Sequence, residues 1–191
     1  KDHGGVLSTG QDKLGKVDSG VFVSCTGSLI YLALDRYDIQ YVVRCLAQVL
    51  SSPCVLDMLR LKHLVKYLIG TKTWLWVFHF QEMPKLLDAG SDSDWAQDPV
   101  TRKSVSSGFL RWGKHIWEHW CSGQQLVALS SGEAEFYAGG KAAAHALFFV
   151  FLLAELGQKI RARVVMDSSA ARGIFSRTGP GRIRHLHTRY L

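Results

Sequence analysis

Three carboxylates in this chain of 191 residues stand where chemistry could be done: Asp92, Glu135 and Asp167. Asp92 closes Leu86 to Asp92, which reads as a strand. Glu135 falls in the first turns of a long helical pattern, and Asp167 follows a second strand pattern, Arg161 to Met166. In α/β sheets, ligand sites gather beyond the carboxyl ends of strands. Carboxylates converging there suit Mg²⁺, a hard cation that prefers oxygen ligands and keeps several waters. Two such ions about 4 Å apart can hold an attacking water and a leaving 3′-oxygen in line on a phosphodiester. The same residues also have blander readings. Glu135 could serve as a charge favoured by a helix N-terminal dipole, and Asp167 as a turn or cap residue ahead of Ser168. Spacing by itself leaves these alternatives open.

The elements that must position these acids are legible as periodicities. Lys1 to Gly20 is rich in Gly, Lys and Asp without periodicity, and residues 1–21 are expected to form a flexible lead-in. Asp38 is placed to cap a helix with the face Ile39, Val42, Val43, Leu46, Val49 and Leu50, stopped by Ser51-Ser52-Pro53. A second helix is predicted from Val55 to Ile69, with Gly70 at its C-terminal cap and Arg60, Lys62 and Lys66 on or beside its outer face. Thr73 to Phe80 is aromatic and β-branched and predicts a strand, broken by Met83-Pro84, with a domain boundary near Gln81 to Lys85. Gly108 to Trp112 and Ile116 to Trp120 read as strands around a Gly113 turn, which Leu126 to Leu129 would extend. Ser130-Ser131 caps a long helix from Glu133 to Leu156, and Ser168-Ser169 caps a short one from Ala170 to Phe175. The order β-β-β-α-β-α defines an α/β domain with a mixed sheet.

Composition narrows the class. At 47% apolar and 20% charged residues the chain can build a core, and extended disorder is excluded. The longest apolar stretch, Ala142 to Leu156, carries His145 and Glu155 and is shorter than the ~20 residues of a membrane span, so no membrane partner is expected. The chain opens Lys1-Asp2-His3 without Met and carries no signal-peptide pattern, as expected of an excised piece or an incomplete gene model. The formal charge of +7 is entirely C-terminal: Lys159 to Leu191 holds eight cations and one acid, while the preceding residues balance. Arginine fits phosphate oxygens with two donors at once, so a one-sided Arg block points to a polyanion, with a solvated face or tail as the alternative. Cys25, Cys45, Cys54 and Cys121 contain no CxxC pair and suit a reducing compartment.

The strings themselves carry a resemblance. GSLIYLALDRYDIQYVVRCLAQVLSSP (Gly27 to Pro53) and RLKHLVKYLIGT (Arg60 to Thr71) resemble the late reverse-transcriptase segment of copia-type retrotransposon Pol polyproteins. SDSDWAQD, TRKSVSSG, VALSSGEAEFYA, DSSAARGI and RIRHLHTRYL resemble the ribonuclease H domain of the same polyproteins, in collinear order to the end of the chain. The resemblance implies a small helical thumb or connection segment (residues 22–81), then a ribonuclease H-like α/β domain (residues 86–191) with a mixed sheet and flanking helices, incomplete at its C-terminus. It implies Asp92 as the first metal-binding Asp, with Asp94 as the second choice, Glu135 as the helix Glu, with Glu133 as the second choice, and Asp167 as the Asp after the next strand. In the family these residues hold two Mg²⁺ (or Mn²⁺) ions and cut the RNA strand of an RNA–DNA hybrid. Arg172, Arg177, Arg182, Arg184 and Arg189 would supply salt-sensitive phosphate contacts. The implied partners are the hybrid and the rest of the polyprotein, in the cytoplasm (a virus-like particle) or the nucleus. The polymerase's paired-Asp motif is absent, so polymerisation is not expected of this chain. The family's last core strand and its fourth carboxylate would lie beyond Leu191. Three departures stand out: Tyr37 for Pro, Gln97 for Gly, and His187 for an acid, which cannot replace a carboxylate for Mg²⁺. The alternatives to a working nuclease are an inactive nucleic-acid-binding remnant and a protein-interaction scaffold.

Other features read as structure. His115, His119 and Cys121 form an HxxxHxC string that lacks a fourth ligand at zinc spacing. Trp112, Trp117 and Trp120 are read as strand packing before base stacking, and Phe148, Phe149 and Phe151 as core. Gly139-Gly140 interrupts a helix and suggests a close approach of backbone to a neighbour.

Overall fold

The computed structural model describes residues 11–177, and the chain divides into two compact units between Trp76 and Val77. The first unit contains helices α1 (Lys16–Leu32), α2 (Gln40–Gln48) and α3 (Val55–Gly70), with a single 3-10 turn, Tyr37–Ile39, ahead of α2. The expected lead-in ends sooner than predicted, because α1 starts at Lys16 and was missed. Its buried positions, Phe22, Thr26 and Leu29, do follow helical spacing, but Val17, Val21, Ile30 and Tyr31 are exposed apolar residues that blur the pattern. The core joins Phe22 and Leu29 of α1 to Ile39, Val43 and Leu46 and to Leu61 and Leu64 of α3.

Asp38 is not the cap that its position suggested. Its two carboxylate oxygens accept from the Arg36 guanidinium at 2.9 and 2.7 Å, and one also accepts from Tyr67 Oη at 2.8 Å. Arg36, almost fully buried, donates onward to the carbonyl and hydroxyl of Thr71 and lies 4.6 Å from the Trp74 ring centroid. That hub explains why Thr73 to Phe80 forms no strand: Trp74 packs on Arg36 and Tyr37, and Trp76 Nε1 donates to the Asp35 carbonyl. A strand needs a ladder partner along its backbone, and this run is held by its side chains instead.

The second unit is a four-stranded mixed sheet with helices: β1 (Leu86–Asp94), β2 (Val105–Trp112), β3 (His115–Gly123), α4 (Ser131–Glu155), β4 (Arg161–Val165) and α5 (Ser169–Phe175). The strand order is β3-β2-β1-β4, with β1 antiparallel to β2, β2 antiparallel to β3, and β1 parallel to β4. The architecture is therefore α/β with a mixed sheet, compatible with a ribonuclease H-like fold. Leu126 to Leu129 does not extend β3. The Ala128 carbonyl accepts from Trp95 Nε1 and the Leu129 amide donates to Glu133, so the segment is engaged in starting α4.

Helix α4 lies on one face of the sheet, with Ala142, Ala146 and Leu153 against Leu87, Ala89, Leu110, Trp112 and Trp120. Small residues on the helix let it come close to the two tryptophans. Gly139 permits a different close approach: a Cβ there would stand 2.5 Å from Met166 Cε and 2.8 Å from Phe175. Phe149 packs against Trp117, but Phe148 and Phe151 are exposed, contrary to the core assignment, because they point away from the sheet-facing row of alanines. By length and composition α4 is apolar enough to cross a membrane, although the stretch from Ala142 alone is shorter than a span; here it is the helix packed on the sheet.

Candidate metal centre

Strand register brings two of the three acids together. β1 and β4 are parallel, with Gly90 opposite Val165. The ladder stops there, two residues before Asp92 and two before Asp167, and neighbouring strands lie about 4.8 Å apart. The third acid comes from α4. Ser130 caps this helix, its Oγ accepting from the Glu133 amide at 3.2 Å. Two residues on, Glu135 turns toward β1, where its Oε1 accepts from both the amide (3.1 Å) and the hydroxyl (2.9 Å) of Ser93. Carboxylate oxygens of Asp92, Glu135 and Asp167 all lie within 4.8 Å of one another.

The second-choice residues have other work. Glu133 accepts from the Leu129 amide at 2.8 Å and from Tyr137 Oη at 2.6 Å, so it secures the start of the helix. Two residues apart on a helix means about 200° of rotation, so Glu133 and Glu135 cannot face the same point. Asp94, the last residue of β1, lies opposite Val105 and is exposed outside the cluster. Asp167 lies at the bend between β4 and α5, and the cap of α5 is Ser168, its Oγ accepting from the Ala171 amide at 3.1 Å.

Electrostatics of the site follow from burial and crowding. Glu135 is buried while Asp92 and Asp167 are exposed. Burial pushes the Glu135 carboxyl above the usual range; the two Ser93 donors pull it back, and the charges of Asp92 and Asp167 push it up again. Glu135 Oε2 is buried without a hydrogen-bond partner. A buried acceptor left unmatched costs free energy, more so for a charged group. An all-oxygen donor set with one orphaned buried oxygen fits a hard divalent cation.

Other sequence candidates are placed as follows. Arg172 and Arg177 are exposed, on α5 and just beyond it. Arg182, Arg184, Arg189 and His187 lie outside the described residues. His115, His119 and Cys121 are not gathered; among the described residues the only cluster of three or more His, Cys, Asp or Glu side chains is the carboxylate one. Trp112 and Trp120 are buried, with Trp112 Nε1 donating to the Pro84 carbonyl, and Trp117 is half exposed. Ser93 was missed by sequence reasoning. Its signal was alternation: in a strand, the residue between two acids points to the opposite face, here the one covered by the helix.

Comparison with known proteins finds relatives among transposon polyproteins. The chain is 33% identical over 134 residues to the retrovirus-related Pol polyprotein from transposon RE1 of Arabidopsis thaliana, covering 70% of this chain and 9% of that polyprotein. It is 28% identical over 179 residues to a retrovirus-related Pol polyprotein of Nicotiana tabacum, covering 88% of this chain and 13% of that one. It is also 32% identical over 128 residues to the secreted RxLR effector protein 161 of Plasmopara viticola, covering 66% of this chain and 89% of that protein. No protein-family model matches the chain, and no solved structure matches it. The chain belongs to the copia-type, retrovirus-related Pol polyprotein family of transposons. It spans about a tenth of the length of the Pol polyproteins it matches.

Proposed function

We propose that the second unit is a ribonuclease H that cuts the RNA strand of an RNA–DNA hybrid, preceded by the end of a reverse transcriptase. The observation that carries this reading is the convergence of Asp92, Glu135 and Asp167, with one Glu135 oxygen buried and unmatched. These three residues would hold Mg²⁺ or Mn²⁺. Bound there, two ions would supply an activated water and stabilise the leaving 3′-oxygen.

The chain's own residues prepare that site. Ser93 holds Glu135 by two hydrogen bonds to Oε1, which leaves Oε2 buried without a hydrogen-bond partner. Gly139 lets α4 approach Met166, next to Asp167. Arg172 and Arg177 follow Asp167 in the chain and offer phosphate contacts near neutral pH. Recognition of the hybrid would rest on its shape and 2′-hydroxyls more than on base sequence. An intracellular place of action, in a cytoplasmic particle or the nucleus, goes with this reading.

The test is cleavage of a labelled RNA–DNA hybrid with Mg²⁺ or Mn²⁺. The expected result is metal-dependent cutting of the RNA strand that falls to background in Asp92→Asn. Cutting that survives Asp92→Asn, or that needs no metal, overturns the reading. Salt-sensitive hybrid binding without any cutting supports the inactive-remnant alternative. The exposed apolar residues of α1 (Val17, Val21, Ile30, Tyr31) favour a further role for the first unit as a docking surface for the rest of the polyprotein.

A further inference from the structure

On α4 a second polar feature stands apart from the carboxylates. Tyr137, Gly140, Lys141 and Ala144 follow the spacing of a single helix face. At about 100° per residue this face points away from Glu135, with Tyr137 some 200° around the helix from it. It borders a groove of about 560 Å³, closed on the other side by Ser106 and Ser122 to Leu126 at the end of β3.

Lys141 Nζ donates to Ser122 Oγ at 2.7 Å, and among the described residues it forms no ion pair. The carboxylate of Glu118 is engaged instead by His145 Nδ1 at 2.8 Å. A lysine withdrawn from water normally has a counter-charge. Burial here holds the Lys141 ammonium below the usual range, against the weaker opposing pull of Glu118 and Cys121. Ser122 Oγ accepts from Lys141 and Ser106 Oγ accepts from Gln124 Nε2, which leaves each hydroxyl its own proton to donate. Gly140 leaves the floor of the groove open: a Cβ there would meet nothing within 4 Å.

We infer that this groove is a phosphate-binding site, in which Lys141 supplies the charge and the Ser106 and Ser122 hydroxyls supply donors to the phosphate oxygens. A cation flanked by hydroxyl donors, on the side of the helix away from three carboxylates, suits an oxyanion and would repel a cation. The site does not depend on the nuclease reading, because none of its residues belongs to the carboxylate cluster.

The test is a titration of the ¹⁵N-labelled chain with inorganic phosphate against chloride at equal ionic strength, following the amides of Ser122, Gly123 and Gln124. The expected result is a saturable shift with phosphate alone, retained in Lys141→Arg and weakened at least about tenfold in Lys141→Met, the loss of one charge-assisted contact. Asp92→Asn should bind phosphate like the parent chain, which separates this site from the metal centre. Shifts that are the same with chloride, or unchanged in Lys141→Met, overturn the proposal. An RNA–DNA hybrid that displaces the phosphate identifies the source as a polynucleotide backbone. A phosphate that stays bound, and is displaced by a mononucleotide, identifies a small phosphate ester.

Discussion

Ser93 and Glu135 are joined twice: the amide and the hydroxyl of Ser93 both donate to Glu135 Oε1, at 3.1 and 2.9 Å. The pair clamps helix α4 to strand β1 at the point where the carboxylates meet. Ser93→Ala removes the hydroxyl donor and keeps the amide. The expected outcome is a fall of about 10-fold in metal affinity or metal-dependent cleavage, the usual size of an outer-shell effect, with the fold intact. Isothermal titration with Mn²⁺ and far-UV circular dichroism would check both halves.

Glu135 itself should cost stability when no metal is bound. Its folded-state pKa is raised, chiefly by burial. The folded state therefore favours the protonated form, and the penalty appears as pH rises through the folded pKa and is absent below the unfolded value of about 4.3. Glu135→Gln should make the metal-free chain more stable at pH 7, and the gain should shrink as pH falls toward 4. Urea unfolding at the two pH values measures it; a loss of stability at pH 7 would refute the assignment of strain to this carboxylate.

Metal should reverse that penalty. A ligand that binds only the folded state at 100 times its Kd stabilises by about 2.7 kcal/mol. Saturating Mg²⁺ or Mn²⁺ should raise the melting temperature of the parent chain, chelation should remove the gain, and Asp92→Asn should show little of it. Protons compete for Glu135, so the gain should fade with acid at a higher pH than an ordinary glutamate would give.

The Trp120 packing can be tested at Gly108. A Cβ at this position would run into the Trp120 ring and stand 2.7 Å from the Gly90 carbonyl. Gly108→Ala should destabilise the second unit by about 1–3 kcal/mol, the range for overpacking a core. A neutral result in denaturant titration would mean that the Trp120 ring and the β1 backbone at Gly90 both give way.

In the first unit the Arg36–Asp38 pair is the analogous point. The Arg36 guanidinium holds the Asp38 carboxyl below its usual range, with Tyr67 helping and burial opposing. That contribution is present above the unfolded Asp value of about 3.9 and is lost as pH falls through the lower folded value. Asp38→Asn at pH 7 leaves Arg36 buried without its counter-charge and should cost about 3 kcal/mol. Fluorescence of Trp74 and Trp76 during urea unfolding would report it, and the difference from the parent chain should narrow in acid.

Much of this protein was legible along the chain, because the signals are local. Apolar spacing located α2, α3 and α4, alternation and turn residues located β1 to β3, and Ser130 and Ser168 announced the helices they cap. The strings around Asp92, Glu135 and Asp167 placed the chain among Pol polyproteins. Local signals failed where side chains find distant partners. Thr73 to Phe80 has strand composition, yet Trp74 lies on Arg36 and Trp76 on the Asp35 carbonyl. Asp38 sits where a cap belongs, yet Arg36 and Tyr67 take its oxygens.

By itself, then, the sequence determined the residue types, the order of the elements in the second unit and the three candidate acids. Only the tertiary structure decided which acid of each pair meets the others. That choice depends on the parallel register of β1 and β4, and those strands are some 75 residues apart in the chain. It depends also on the rotation of α4, set by Ser130 at its cap and Ser93 across the sheet. Lys141 became visible as a site for the same reason: a half-buried ammonium bonded to the Ser122 hydroxyl, with no ion pair among the described residues, is a property of the packed groove between α4 and β3, and no window of neighbouring residues contains it.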